Sequence, residues 1–211
     1  MAGISAAQRD LDAVGAGLLR WHENRLPDAT DFRISPLRAN RSTGYSSESL
    51  MFEISYTNRG QVCTEDSVLR LPPAGGGLFP EYDLARQARV MEYLSSAGLP
   101  APYPAHHEPD TSWLGSEFIV MPRISGRLPG DYIYPIKGWL HDAEIEVQSA
   151  CYGSFVDVLV DLHNIDVNAP DVDVSFLARR GGLGLTAEIG WWSDYLLWAT
   201  DGSPSPQMAE A

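Results

Sequence analysis

A strict alternation of apolar and polar residues between Leu50 and Tyr56 constrains the fold of this chain more than any other feature. Its four apolar members would share one side of a β-strand, because successive side chains point to opposite faces. Asn58-Arg59-Gly60 follows, and such residues tolerate the positive φ of a tight turn. The next strand ends at Val68-Leu69-Arg70. The sequence therefore predicts an antiparallel hairpin with one buried face.

Helical periodicity is present on both sides of this hairpin. Apolar residues recur at three- and four-residue steps between Leu11 and Trp21, which predicts a first helix ending near residue 24 and capped by Ser5. A second helix is predicted over 82–97, with Gly98 as its C-terminal cap. Shorter strands are expected over 103–108 and 116–124. From residue 31 to 124 the predicted order is therefore three strands, a helix and two strands.

Proline and glycine mark two breaks in this pattern. Their density between residues 71 and 80 predicts a mobile connection without regular structure. After residues 125–130 the composition shifts from strand-like to helical, which indicates a lobe boundary. We therefore expect an N-terminal helix over 1–30, a sheet-containing lobe over 31–124 and a partial helical lobe over 125–211.

The two helices predicted beyond this boundary are both rich in apolar residues. In the helix over 143–164 these residues recur at helical spacing, which predicts a stripe packed in a core. The stripe consists of Cys151, Phe155, Val158, Leu159 and Leu162. The helix over 186–200 is apolar on nearly all sides and should be covered by another surface, for which self-association is one alternative. Its large apolar residues are Trp191, Trp192, Tyr195, Leu196 and Trp198.

Charge and cysteine content exclude several classes of protein. With 15 Lys and Arg against 28 Asp and Glu, the net charge of −13 argues against a nucleic-acid partner. Cys63 and Cys151 form no Cys-x-x-Cys or Cys/His cluster, so we expect reduced thiols, with a disulfide or a zinc site as minor alternatives. Charged residues over 9–12 disfavour a signal peptide, and no apolar run reaches the roughly 18 residues of a membrane span. We expect a soluble cytoplasmic protein.

Five segments in order carry a further pattern. They are Gly44-Tyr45-Ser46-Ser47-Glu48-Ser49, Val68-Leu69-Arg70-Leu71-Pro72-Pro73, Leu78-Phe79-Pro80-Glu81-Tyr82-Asp83-Leu84-Ala85-Arg86, Val120-Met121-Pro122-Arg123-Ile124-Ser125-Gly126-Arg127 and Leu159-Val160-Asp161-Leu162-His163-Asn164-Ile165-Asp166. The chain resembles, over about residues 30–200, the N-terminal portion of the bacterial aminoglycoside phosphotransferase-like family of small-molecule kinases. The resemblance implies an α+β, protein-kinase-like fold. Its parts would be an antiparallel five-stranded N-lobe with a regulatory helix, followed by the start of a helical C-lobe.

The resemblance implies that Arg70 and Gln87 take part in nucleotide binding. Arg70 matches the third-strand cation that contacts the phosphates of the nucleotide. Gln87 matches the glutamate that steadies this cation, but an amide accepts a hydrogen bond without forming an ion pair. The alternative, which follows from the residues alone, is that Arg70 is a solvated edge charge at the end of a strand.

Four other residues receive nucleotide-binding roles from the same resemblance. Ser46 and Ser47 match the loop that covers the phosphates, where backbone donors would matter more than hydroxyls. Met121 and Pro122 match the hinge whose backbone hydrogen-bonds adenine. An ordinary polar loop and a plain lobe linker are the alternatives for these two segments.

The catalytic and metal-binding residues of the family have no counterpart in this sequence. In the family, an aspartate of a His-Gly-Asp motif orients the acceptor hydroxyl, and a later asparagine and aspartate bind magnesium. The sequence contains no His-Gly-Asp, so we expect neither a catalytic residue nor a magnesium ligand here, although ATP and magnesium remain the implied cofactors. Asp171-Val172-Asp173 is more simply an acidic loop than a metal pair. His106 and His107 would point to opposite faces of a strand and could not share a metal.

The resemblance implies an ATP-dependent phosphotransferase that transfers the γ-phosphoryl group to a hydroxyl of a small molecule. One hypothesis is that the chain is a portion of such an enzyme and that the gene continues past Ala211. The alternative is a non-catalytic nucleotide-binding or partner-binding module, a truncated pseudokinase. The expected partners are a nucleotide and a small-molecule hydroxyl acceptor, without nucleic acid or membrane. Self-association through the C-terminal aromatic helix is an alternative. The acidic balance fits a cationic acceptor such as an aminoglycoside.

Overall fold

A computed structural model describes residues 9–39, 47–75, 77–127, 138–169, 172–180 and 182–202. The secondary structure within these ranges is mixed, with helices at both ends and strands between them. In chain order the elements are α1 (Leu11–Arg25), β1 (Ala29–Ile34), β2 (Arg38–Ala39), β3 (Glu48–Asn58), β4 (Gln61–Leu71), α2 (Leu84–Ser96), β5 (His106–Glu108), β6 (Phe118–Pro122), α3 (Ile145–His163), a 3-10 helix (Ser175–Leu177) and α4 (Leu185–Ala199).

The described strands form one antiparallel sheet in the order β1-β3-β4-β6-β5, and the two-residue β2 pairs with β3 as an unpredicted sixth strand. The predicted hairpin is confirmed, because β3 and β4 pair continuously from Asn58 opposite Gln61 to Glu48 opposite Leu71. Arg59 and Gly60 form its turn with φ values of 51° and 78°. The α+β, protein-kinase-like fold is thus as predicted, although β5 and β6 are shorter than expected.

Helix α1 packs on one face of this sheet. The apolar side of β3, from Leu50 to Tyr56, is buried there as its alternation predicts, together with Leu18 and Trp21 of α1. Trp21 Nε1 also donates a hydrogen bond of 2.9 Å to Glu108 Oε2 of β5. The helix therefore belongs to the same hydrophobic core as the sheet.

The N-terminal cap of α1 is Asp10, whose Oδ1 accepts hydrogen bonds from Asp12 N and Ala13 N, each at 3.1 Å. The predicted cap Ser5 lies outside the described residues. The expectation placed the start of the helix too early because Ser and Asp are almost equally good caps.

Helix α2 packs on the opposite face. Its buried residues Leu84 and Ala88 contact Ile119 of β6, whereas the neighbouring Phe118 and Val120 point into the core beneath α1. Strand β6 is therefore buried on both faces, which explains its unbroken apolar sequence. Asp83 Oδ1 caps α2 by accepting a hydrogen bond of 2.8 Å from Arg86 N.

The prediction that the apolar stripe of α3 packs in a core is wrong for the described residues. No residue of α3 is buried, and the side chain of Phe155 is 64% exposed. A helical apolar pattern identifies the face that favours burial, but burial needs a partner, and no other helix or strand in the described ranges packs against α3. None of the described helices is long and apolar enough to cross a membrane.

Truncation of a core residue in α1 tests this arrangement. Leu18→Ala should lower the free energy of unfolding by about 2–5 kcal/mol, because Leu18 is fully buried and its removal leaves a cavity. Leu159→Ala on the exposed side of α3 is the matched control and should cost less than about 1 kcal/mol. Urea unfolding followed by tryptophan fluorescence measures both. Equal losses in the two variants would contradict the placement of α1 in the core.

Candidate functional site

Ser47, Arg70 and Gln87 line one cavity of about 300 Å³. Ser47 precedes β3, Arg70 is the penultimate residue of β4, and Gln87 lies in the first turn of α2. Arg70 Nη2 donates a hydrogen bond of 3.1 Å to Ser47 Oγ. The structure thus brings together three residues that are far apart in sequence and that the family resemblance assigns to nucleotide phosphates.

The position of Arg70 follows from the alternation of β4. Leu69 and Leu71 are fully buried beneath α1, so the side chain between them points to the other face. There its Nε is buried without a hydrogen-bond acceptor, and no carboxylate of the described residues pairs with it. Burial lowers the pKa of Arg70. A half-buried cation without a counter-ion is a site that favours an anionic ligand.

Two further arginines line this cavity, and the sequence analysis missed both. Arg86 Nη2 lies 3.2 Å from Asp83 Oδ2 and donates a hydrogen bond of 3.2 Å to Ala178 O. Arg179 Nε lies 3.5 Å from Glu188 Oε1. Each nonetheless retains a buried nitrogen without an acceptor, Nε in Arg86 and Nη1 in Arg179. The only sequence signals were the arginine at the start of α2 and the Arg-Arg pair before α4, and neither indicates a shared cavity.

Aromatic side chains form another wall of the cavity. Phe79 lies in the connection predicted to be mobile. Its ring centroid is 6.3 Å from that of Trp191 and 5.6 Å from that of Tyr195, both in α4. Part of the cover that α4 needs therefore comes from this connection. Trp192 and Trp198 remain 52% and 46% exposed.

The remaining predicted residues lie elsewhere. Ser46 is outside the described residues. Met121 and Pro122, at the end of β6, line a different cavity of about 500 Å³. Pro122 has no N–H, and Arg123 N donates a hydrogen bond of 2.9 Å to Asp66 O. Neither residue 122 nor residue 123 therefore has an N–H available for a base.

This second cavity contains several titratable side chains. Tyr56 Oη donates a hydrogen bond to Glu65, and this bond raises the pKa of Tyr56 to about 12. Arg25 Nη2 donates a hydrogen bond of 2.9 Å to His106 Nδ1. Burial, together with the charge of Arg25, lowers the pKa of His106. Burial also lowers the pKa of His22, whose Nδ1 lies 2.8 Å from Leu18 O.

The described residues contain no group of three or more His, Cys, Asp or Glu side chains that could hold a metal ion. Asp173 Oδ1 accepts a hydrogen bond of 2.9 Å from Ser175 N, and its Oδ2 lies 3.7 Å from Arg89 Nη2. Asp171 is outside the described residues. His106 and His107 have separate partners, because Arg25 Nη2 bonds His106 Nδ1 and His107 Nε2 lies 2.8 Å from Glu117 Oε2. We therefore assign no metal ligand within the described ranges.

Comparisons with known proteins give a family match over most of the chain. The model of a family described as "Phosphotransferase enzyme family" matches residues 43–200. Acyl-CoA dehydrogenase family member 11 from Homo sapiens is 35% identical over 102 residues, which are 48% of this chain and 12% of that protein. The Rattus norvegicus protein of the same name is 33% identical over 106 residues, or 50% of this chain and 13% of that protein.

A further relative matches a longer segment. Acyl-CoA dehydrogenase family member 10 from Mus musculus is 28% identical over 149 residues, which are 69% of this chain. The matched segments cover only 12% to 13% of the length of these three relatives. The relatives therefore bear on this chain through a short part of their own sequences.

The buried imidazole of His22 predicts a loss of stability in acid. Because burial holds the pKa of His22 below the ordinary value of about 6.5, the unfolded state binds a proton first as the pH falls. The free energy of unfolding should therefore be highest above pH 6.5 and decrease below it. Urea unfolding at pH 7.5 and 5.5 measures the difference.

His22→Gln should reduce this pH dependence, whereas His141→Gln, at an exposed position, is the matched control. His106 contributes in the same direction, so part of the dependence should persist. A His22→Gln variant with the full pH dependence of the wild type would refute the assignment.

Proposed function

Because this chain belongs to the phosphotransferase enzyme family, we propose that it binds the phosphates of ATP at the cavity of Arg70 and serves an ATP-dependent transfer of phosphoryl groups to a hydroxyl of a small molecule. The observation that carries the proposal is the half-buried guanidinium of Arg70, which has a buried Nε without an acceptor and no carboxylate partner among the described residues. Such a group is costly in a folded protein unless an anion offsets it.

The chemistry of arginine suits this role. Only one of the 15 Lys and Arg residues is a lysine, so recognition of phosphates by this chain depends on guanidinium groups. Their planar forks form two parallel hydrogen bonds with phosphate oxygens. The bond from Arg70 Nη2 to Ser47 Oγ fixes the position of the guanidinium, whose buried Nε has no acceptor among the described residues.

The amide of Gln87 fits the same interpretation. A glutamate at this position would neutralise part of the charge of Arg70, whereas the amide of Gln87 leaves it uncompensated within the cavity. A bound phosphate would then be the direct counter-ion of Arg70, whereas the carboxylate of Asp83, which lines the same cavity, pairs with Arg86. We propose that this chain positions the nucleotide through Arg70, Ser47 and Gln87, with the aromatic wall around Phe79 and Trp191 excluding water.

When bound, ATP supplies the phosphoryl group that is transferred. We assign the proton transfer from the acceptor hydroxyl to no described residue. The contribution of this chain is therefore to bind and orient the nucleotide. We also propose a cytoplasmic location, where ATP is available and the thiols of Cys63 and Cys151 stay reduced.

A second candidate is a nucleotide-binding module without turnover that docks another protein surface. The apolar exposure of α3 and α4, including Phe155 at 64% and Trp192 at 52%, favours it, because exposed apolar faces of this kind mark interaction surfaces. Self-association through α4 is one form of this proposal. Sedimentation that shows only monomer at high concentration would count against self-association.

Substitution of Arg70 tests the proposed nucleotide site. Arg70→Gln should weaken binding of ATP by about tenfold or more, since a hydrogen bond to a charged group contributes about 1.5–3 kcal/mol. Binding of adenosine, which has no phosphates, should be unchanged. Arg33→Gln, at an exposed position of β1, is the matched control. Calorimetry measures all three affinities, and an Arg70→Gln variant that binds ATP as tightly as wild type would refute the role of Arg70.

A further inference from the structure

Arg86 and Arg179 stand apart from Arg70 in their surroundings. Both also line a neighbouring cavity of about 480 Å³ that Arg70 does not line. They therefore form a common wall between two openings. A contact between segments distant in sequence helps to hold this wall together, because Arg86 Nη2 donates a hydrogen bond of 3.2 Å to Ala178 O.

The contacts of these two side chains leave specific donors unsatisfied. Asp83 and Ala178 engage Nη2 of Arg86, and Glu188 lies near Nε of Arg179. The buried nitrogens without an acceptor are different atoms, Nε of Arg86 and Nη1 of Arg179. Most buried donors in proteins have a partner, so two side chains with such donors on one cavity wall mark this wall as a candidate site for an anionic ligand.

Stacking fixes the position of Arg179. Its Cζ lies 4.1 Å from the ring centroid of Trp191, and Trp191 is stacked on Tyr195 with ring centroids 5.8 Å apart and an interplanar angle of 12°. The guanidinium is thus held in place before a ligand arrives, which lowers the entropic cost of binding. The adjacent Arg180 lines the neighbouring cavity but not the cavity of Arg70. It is exposed, and its Nε lies 3.3 Å from Asp194 Oδ2.

We propose that Arg86 and Arg179 form a second anion subsite that binds a phosphate group beside the one held by Arg70. The inference rests on the proposed function, in which Arg70 binds the phosphates of the nucleotide. Two sources supply the same chemistry: the terminal phosphate of the nucleotide and a phosphate on a second molecule. A second molecule that carries the phosphate would be anionic. The arginines of this cavity wall attract such a group locally, although the net charge of the chain is −13.

Arg179→Gln tests the subsite, and Arg180→Gln is the matched control with the same change of charge one residue away. Calorimetry with the full chain measures binding of ATP and AMP. It also measures binding of inorganic phosphate to protein saturated with a non-hydrolysable ATP analogue. A loss of about tenfold or more in ATP affinity in Arg179→Gln, with AMP affinity unchanged, supports the subsite and identifies the nucleotide as its source.

Unchanged ATP affinity with loss of inorganic phosphate binding in Arg179→Gln supports the subsite and identifies a second molecule as the source. Arg179→Gln and Arg180→Gln that behave alike in every titration would overturn the subsite. Circular dichroism checks folding, and Arg179→Lys, which keeps the charge but not the fork, carries the same test if the glutamine variant is unfolded. Arg70→Gln measured in parallel separates the two proposals. An Arg70→Gln variant that binds ATP as tightly as wild type refutes the nucleotide site at Arg70 and leaves the subsite to be decided by the Arg179 titrations.

Discussion

Burial of Leu69 and Leu71 beneath helix α1 is the interaction on which the rest of the structure depends. Both side chains are fully buried, and they set the register and facing of β4 within the sheet. A shift of one residue would exchange the two faces and move Arg70 into the apolar core, where an unpaired cation is very costly. The same packing that stabilises the sheet therefore directs Arg70 toward α2 and the candidate site.

The candidate site contains guanidinium groups whose hydrogen-bond donors the described residues do not fully satisfy. Arg70 has no carboxylate partner there, and Arg86 and Arg179 retain buried donors despite their contacts with Asp83 and Glu188. The cavity lies on the face of the sheet opposite the core beneath α1, so these unsatisfied donors do not enter that core. A preorganised set of donors is also what an enzyme of the phosphotransferase enzyme family needs to bind phosphates.

Local patterns predicted the parts of the fold in which one chain segment determines its own structure. The alternation from Leu50 to Tyr56 and the Asn58-Arg59-Gly60 turn predicted the β3–β4 hairpin, and helical spacing predicted α2. The prediction that the apolar stripe of α3 is buried was wrong, because periodicity identifies an apolar face without supplying a partner for it. The cap of α1 was displaced because several polar residues near the N-terminus suit that position equally well.

The sequence by itself determined the hairpin and, through resemblance, the family of the chain, because strand alternation and motif order are properties of consecutive residues. Only the tertiary structure decided that Arg86 and Arg179 share a cavity with Arg70 and that Met121 and Pro122 line another one. The bond between Arg86 and Ala178 joins residues 92 positions apart. No local pattern encodes such a contact, since it depends on how α2 and the segment before α4 come together in space.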